Sequence, residues 1–193
     1  MTRESAFERK TKETQVTGHL KLDGKGLATI DTGIGFFNHM LELFTFHSGC
    51  DLSLNCRGDL DVCPHHSVED IGITLGSALL EALGDKKGIQ RYASEYLPMD
   101  ETLSRTVIDL SGRPYHVFTG DFSGESIGTL PTELIQHFFQ SISVSAAMTL
   151  HQEILYGDND HHKAESLFKG FGRSLKKAIE VVSESLPSTK GSL

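Results

Sequence analysis

Apolar and polar positions alternate, with turn residues between them, through residues 4–30 (ESAFERKTKETQVTGHLKLDGKGLATI). That pattern predicts two or three short strands. The period then changes. In GFFNHMLELFTFHSG (35–49), Phe37, Met40, Leu41 and Phe44 recur at helical spacing, and the run closes at glycine. DLSLNCRGD (51–59) reads as a strand with a turn. SVEDIGITLGSALLEALGD (67–85) reads as a helix with Ile71, Leu75, Ala78, Leu79 and Ala82 on one side. Strand signals return in TLSRTVIDLSGRPYHVFTGDF (102–122), as two strands around the turn SGRP. PTELIQHFFQSISVSAAM (131–148) predicts a helix with proline at its start. TLHQEILYG (149–157) is a strand, HHKAESLFKGFGRSLKKAIEVV (161–182) a long helix, and SESLPSTKGSL (183–193) a loop.

The order of strands, helix, strand and helix therefore occurs twice, which calls for a repeat search. His39 is followed by His65, His66 and Glu69. His137 is followed by His161, His162 and Glu165. The gap from lone histidine to pair is 26 residues in one half and 24 in the other. Each lone histidine lies on an amphipathic helix, and each pair opens the next one. The expectation is an internal duplication, residues 1–92 and 93–193, packed as one compact unit.

Composition narrows the function without choosing it. The chain has 193 residues, 38% hydrophobic and 23% charged, with a net charge of -8. It carries no basic block, which argues against nucleic acid as a partner. It has no apolar run of the roughly 20 residues that span a bilayer, and its polar start lacks a signal-peptide core. A cytoplasmic, non-membrane protein is expected. Three cysteines, Cys50, Cys56 and Cys63, give no disulfide framework.

Histidine spacing carries the chemistry. On a helix, residues i and i+4 share a face and i+1 lies about 100° away. Glu69 therefore lies over His65 and Glu165 over His161, and each pair can grip one metal ion. His66 and His162 point elsewhere, so the pattern favours two ions. Pseudo-symmetry gives each ion a His/Glu pair from one copy and histidines from the other. Four ligands leave an octahedral ion with open positions, as a catalytic metal needs. A single HHxxE or a lone helical histidine would ordinarily be surface accident or core packing; the repetition is what argues otherwise. Cys63 could offer a thiolate, but the matching position is Asn159. His19, His47, His116 and His151 have no repeated partners.

FNHML (37–41), DVCPHHSVEDIG (61–72), PMDETLSR (98–105), DLSGRPY (109–115), ELIQHFF (133–139), DNDHHKAESLFK (158–169) and PSTKG (187–191) together resemble the imidazoleglycerol-phosphate dehydratases of histidine biosynthesis, over almost the whole chain. The resemblance implies an α+β fold, a duplicated strand-helix-strand-helix unit with its helices packed between two mixed sheets. It implies two manganese ions per subunit. One would be held by His39, His66, His161 and Glu165, the other by His65, Glu69, His137 and His162. It further implies a homo-oligomer of 24 subunits whose sites are shared between chains. Arg91, Arg113, Lys169, Ser188 and Lys190 would bind the phosphate-bearing, imidazole-bearing substrate, and Glu13 would be the catalytic base.

The reaction so implied is loss of water to give a ketone after tautomerisation. The proton to be removed has no neighbouring carbonyl. An electron-rich imidazole could expel the adjacent hydroxyl, making that C–H acidic enough for a carboxylate. A dinuclear metallohydrolase acting on a phosphoester is the alternative, distinguished by release of inorganic phosphate; a metal store or sensor is a third reading. Donor chemistry alone favours zinc, nickel or copper over manganese, so manganese comes from the resemblance.

Overall fold

The structure, a computed structural model, describes residues 2–191. Its first half runs β1 (Glu4–Lys10), β2 (Thr14–Lys21), β3 (Ala28–Asp31), α1 (Gly35–Ser48), β4 (Asp51–Gly58) and α2 (His65–Leu83). The second runs β5 (Tyr92–Met99), β6 (Thr102–Asp109), β7 (Tyr115–Thr119), α3 (Glu133–Ser145), β10 (Thr149–Tyr156) and α4 (Asp160–Ala178). A two-residue ribbon, β8 (Ser126–Ile127) with β9 (Leu130–Pro131), precedes α3. The sheets are ordered β1-β2-β4-β3 and β5-β6-β10-β7. In each, three strands pair antiparallel and the fourth joins in parallel. The two halves thus repeat one mixed-sheet topology.

Both sheets turn an apolar side inward. In β4, Leu52, Leu54 and Cys56 are buried while Ser53, Asn55 and Arg57 face out, the period-two signature of a sheet covered on one face. All four helices lie between the sheets, α1 and α2 against the first, α3 and α4 against the second. The helices then pair across the halves, α1 with α4 and α2 with α3. Phe37 meets Phe138 edge-on at 5.2 Å, and Phe138 stacks on Phe168 at 5.4 Å. Burying these aromatic side chains welds the halves into one core. Among the described residues no helix is long and apolar enough to cross a membrane.

Several elements depart from expectation. YASEYLPM, β5, gives no clean alternation and went unpredicted. β6 and β7 are strands as expected, but they do not pair; β10 lies between them. Pro131 belongs to β9, and α3 starts at Glu133 after Thr132. α2 begins at His65, two residues before the 67–85 run, so the histidine pair opens the helix as expected. α4 stops at Ala178, four residues short of the expected end. The chain beyond it returns to the linker between the halves: Gln90 and Arg91 donate backbone N–H bonds to Glu180 and Ala178, and Gly88 donates to Ser185.

Two glycines set how closely the paired helices approach. A Cβ on Gly76 of α2 would lie 2.6 Å from the Ile142 carbonyl oxygen of α3. A Cβ on Gly172 of α4 would lie 2.7 Å from the Phe44 carbonyl oxygen of α1. Gly76 follows Glu69 by seven residues and Gly172 follows Glu165 by seven. Ile142 and Phe44 follow His137 and His39 by five. The same crossing is built twice, beside each lone histidine. Gly76→Ala or Gly172→Ala should overpack it, costing about 1–3 kcal/mol. The check is a lowered melting temperature for each variant; unchanged melting would mean the helices yield freely.

Candidate metal centres

Each helix crossing brings a lone histidine over the first turns of the partner helix. At the first, α1 presents His39 to His161 and Glu165 of α4. His39 Nε2 and His161 Nε2 lie 3.0 and 2.9 Å from Glu165 Oε1. At the second, α3 presents His137 to His65 and Glu69 of α2. His137 Nε2 is 3.5 Å from Glu69 Oε1 and His65 Nε2 is 3.8 Å from Oε2. In each trio one donor atom per residue falls within 4.8 Å of the others. Spacings near 3 Å in the first trio and of 3.5–3.8 Å in the second bring the donors of each close enough to converge on one ion. His137 Nε2 is moreover buried without a hydrogen-bond partner. A lone pair so placed is costly unless a ligand takes it, and the nitrogen and carboxylate donors fit a divalent transition metal.

The two trios differ in surroundings. The Glu165 side chain is 8% exposed and pairs through its second oxygen with Lys169. Burial raises its carboxyl, but hydrogen bonds from Lys169, His39 and His161 outweigh that and hold it at about 2. Glu69 is 39% exposed and has no such lysine partner among the described residues.

His66 and His162 stand outside both trios, as the 100° offset requires. Each is held by a carboxylate at Nδ1. His66 donates to both oxygens of Asp59 at 3.1 Å, and His162 donates to Glu101 Oε2 at 2.6 Å. These hydrogen bonds raise both imidazoles above their ordinary value. Glu101 is lowered, first by the Asn159 N–H and then by His162. The Asn159 side chain caps α4, accepting from the His161 and His162 amides, which fixes where both histidines emerge.

The remaining expected residues fall in separate places. Glu13, 53% exposed, sits beside β2 with Oε1 4.0 Å from His66 Nε2. Arg91 makes a two-pronged pair with Asp109 at 2.7 and 3.3 Å and donates to the Pro187 carbonyl at 2.7 Å. Arg113, well exposed, approaches the same Asp109 at 3.6 Å. The tail carrying Ser188 and Lys190 is thus tied down beside Arg91, and the Lys190 amide donates to Ser188 Oγ. Lys169 belongs with Glu165. Cys63 is a half-buried free thiol outside both trios. A cavity of about 1080 Å³ is lined by Arg3, Lys25, His47, Arg173, Lys176 and Lys177 among others and holds none of the expected site residues. The paired donor geometry is the better guide, since Arg3 is already paired with Asp23, and Arg173 and Lys177 share Glu95.

Sequence reasoning missed Asp59, Glu101 and Asp109, which orient other side chains. Glu101 left one signal: it directly precedes β6 as Glu13 directly precedes β2.

Fold and site together define a class, a duplicated α+β protein with two candidate metal centres, each assembled from helices of both halves. Comparison with known proteins narrows it. The family model described as imidazoleglycerol-phosphate dehydratase matches residues 32–175. The imidazoleglycerol-phosphate dehydratase of Clostridium botulinum is 56% identical over 188 residues, covering 97% of this chain and 96% of its own. That of Methylorubrum extorquens is 54% identical over 194 residues, covering 99% and 100%. The crystal structure of the Staphylococcus aureus enzyme matches with a TM-score of 0.85 at 43% identity, covering 93% of this chain and 99% of that one. The Pyrococcus furiosus enzyme, in complex with (S)-C348, matches with a TM-score of 0.84 at 33% identity, covering 97% and 100%. The chain belongs to the imidazoleglycerol-phosphate dehydratase family. It is accordingly a metal-dependent hydro-lyase of histidine biosynthesis.

Proposed function

We propose that His39, His161 and Glu165, completed by His66, hold one manganese ion, and that His65, Glu69 and His137, completed by His162, hold a second. The reaction served is elimination of water from imidazole glycerol phosphate to give imidazole acetol phosphate. The observation that carries the metal assignment is the doubled trio, each built across the halves, one with an orphaned buried His137 nitrogen. Such ions supply Lewis acidity toward the imidazole ring. The chain's own groups do the rest. Glu13 takes the proton from carbon. Arg91 and Arg113, oriented by Asp109, and Ser188 and Lys190 on the tied tail, hold the phosphate. Lys169 keeps Glu165 ionised and adds positive charge beside the first centre. The division at residues 92 and 93 belongs to the same reading.

One chain alone is too long for this task. Asp109, which orients the phosphate-binding arginines, ends β6; Thr102, beside Glu101 and His162, begins it. At ~3.3 Å per residue, the strand sets them about 23 Å apart. A substrate with three carbons between ring and phosphate cannot bridge that. The span supports sites shared between copies, in a cytoplasmic homo-oligomer of 24 subunits. Metal analysis should give two manganese ions per chain, and His66→Ala or His162→Ala should each reduce that toward one. Mixed assemblies of Arg113→Ala and Glu165→Ala chains should regain activity that neither has alone. Full metal loading of both histidine variants, or no recovery on mixing, would overturn the respective half of the proposal.

A further inference from the structure

The duplication has made two metal centres, and it has also made two hairpin glutamates. Glu13 lies between β1 and β2, next to Thr14; Glu101 lies between β5 and β6, next to Thr102. Strand order and position make them counterparts, and each lies near the second histidine of its pair, yet their hydrogen bonding differs. Among the described residues, the Glu13 side chain accepts no hydrogen bond, and the one basic group within 4.0 Å of it is His66, through Nε2. Both oxygens of Glu101 are engaged. Oε1 accepts from the Asn159 amide at 2.8 Å, the Thr102 hydroxyl at 3.0 Å and the Asp158 amide at 3.2 Å. Oε2 accepts from His162 Nδ1 at 2.6 Å.

Two loop lengths produce the difference. Between β1 and β2 the chain has three residues, 11–13; between β5 and β6 it has two, and Asp100 takes a left-handed φ of 47°. The shorter turn sends Glu101 onto the start of α4. Meanwhile six residues separate β4 from α2 but only three separate β10 from α4. The longer connection lets Asp59 reach His66. The shorter one uses the Asp158 amide to hold Glu101, and Glu101 takes over the histidine.

We propose that Glu101 is the positioning residue of the second metal centre, fixing the tautomer and orientation of His162, and that it is not a second base. A carboxylate that accepts from Nδ1–H leaves Nε2 as the ligating nitrogen and holds the ring in place. The duplicated enzyme has therefore divided one ancestral position into two jobs, proton transfer at Glu13 and ligand orientation at Glu101. This rests on His162 being a ligand and Glu13 the base.

The test is a double-substitution cycle in the assembled enzyme, read as manganese affinity by chelator competition and as turnover. Glutamine at 101 has one acceptor oxygen and cannot serve both the α4 amides and His162. Glu101→Gln should weaken manganese binding at one of the two sites by about 10–100-fold. In a His162→Ala background the same change should weaken it by less than about threefold, because the effect travels through the missing ring. If His162→Ala alone leaves affinity unchanged, the ligand assignment itself fails and Glu101 has nothing to orient. If His162→Ala weakens binding but Glu101→Gln keeps its full effect in that background, Glu101 acts only on the fold, and the proposal is overturned. Wild-type affinity with turnover lost, the result expected for Glu13→Gln, would make Glu101 a second base and overturn it equally.

Discussion

Turnover should fall by about 10²–10⁴-fold in a Glu13→Gln enzyme, with manganese content at the wild-type level. Glutamine keeps the size and polarity of the side chain but cannot take a proton from carbon. The backbone carrying it is firmly held. The Thr11 hydroxyl accepts from the Thr14 and Glu13 amides at 2.9 and 3.2 Å, and the Glu13 carbonyl accepts from the Asp59 amide at 3.1 Å. Asp70 of α2 clamps the hairpin from below, accepting from Arg9 Nε at 2.7 Å and from the Thr14 hydroxyl. None of these bonds uses the Glu13 side chain, so the substitution leaves the hairpin in place. Nor is Glu13 in either trio, so metal loading does not depend on it. Metal analysis and steady-state turnover on the same preparation decide the matter. Retained turnover removes Glu13 from the mechanism; lost metal makes it a ligand instead.

Glu165→Ala should be the more damaging change. It deletes the only carboxylate of the first trio and the acceptor of His39, His161 and Lys169 together. The largely buried Lys169 ammonium is then left beside two imidazoles, a repulsive arrangement that opposes a cation. Manganese content should drop from two ions per chain to one. With several kcal/mol of Lewis-acid assistance gone, activity should fall by about 10³-fold or more. Full occupancy in this variant would contradict the trio as a metal centre.

Acid should empty the centres in a way that separates metal from fold. His66 and His162 are raised above the usual imidazole value by their hydrogen bonds to Asp59 and Glu101. In metal-free protein a raised imidazole contributes stability that is fully present below its unfolded value, about 6.5, and is lost as pH rises through the folded value. Ligation as proposed has the opposite sign, because a ligating Nε2 must be free of its proton. Manganese occupancy and activity should therefore fall together as pH drops through the folded values, earlier than ordinary histidines would dictate. Over the same range the metal-free chain should gain stability from these two pairs. Metal content and melting temperature, measured across pH with and without chelator, would show the crossing; occupancy indifferent to pH there would refute it.

The trios were legible because helical geometry is local. Once HHxxE is placed at the head of a helix, the i,i+4 relation puts His65 over Glu69 without any knowledge of the fold. That His39 meets α4 and His137 meets α2 required only the repeat and its pseudo-symmetry. β5 was not legible, since YASEYLPM mixes aromatic, charged and proline residues and owes its strand state to pairing with β6. The helix start misplaced at Pro131 has the same origin: the β8–β9 ribbon is a tertiary contact that local propensity does not announce. Gly76 and Gly172 take their meaning from carbonyl groups on another helix, which no local pattern announces. Asp59 and Glu101 escaped because loop length decides what a short acidic side chain reaches, and strand ends are the least certain feature of a sequence.

The length of β6 has one more consequence. If the anion-holding arginines and the ion nearest a bound substrate belong to different copies, each occupied cleft is also a rivet across a seam. Linkage then works both ways: saturating the clefts would make the particle harder to pull apart with urea, and anything that loosens the seams would weaken ligand capture. A newly made chain, correctly folded but solitary, would be silent until its neighbours arrived.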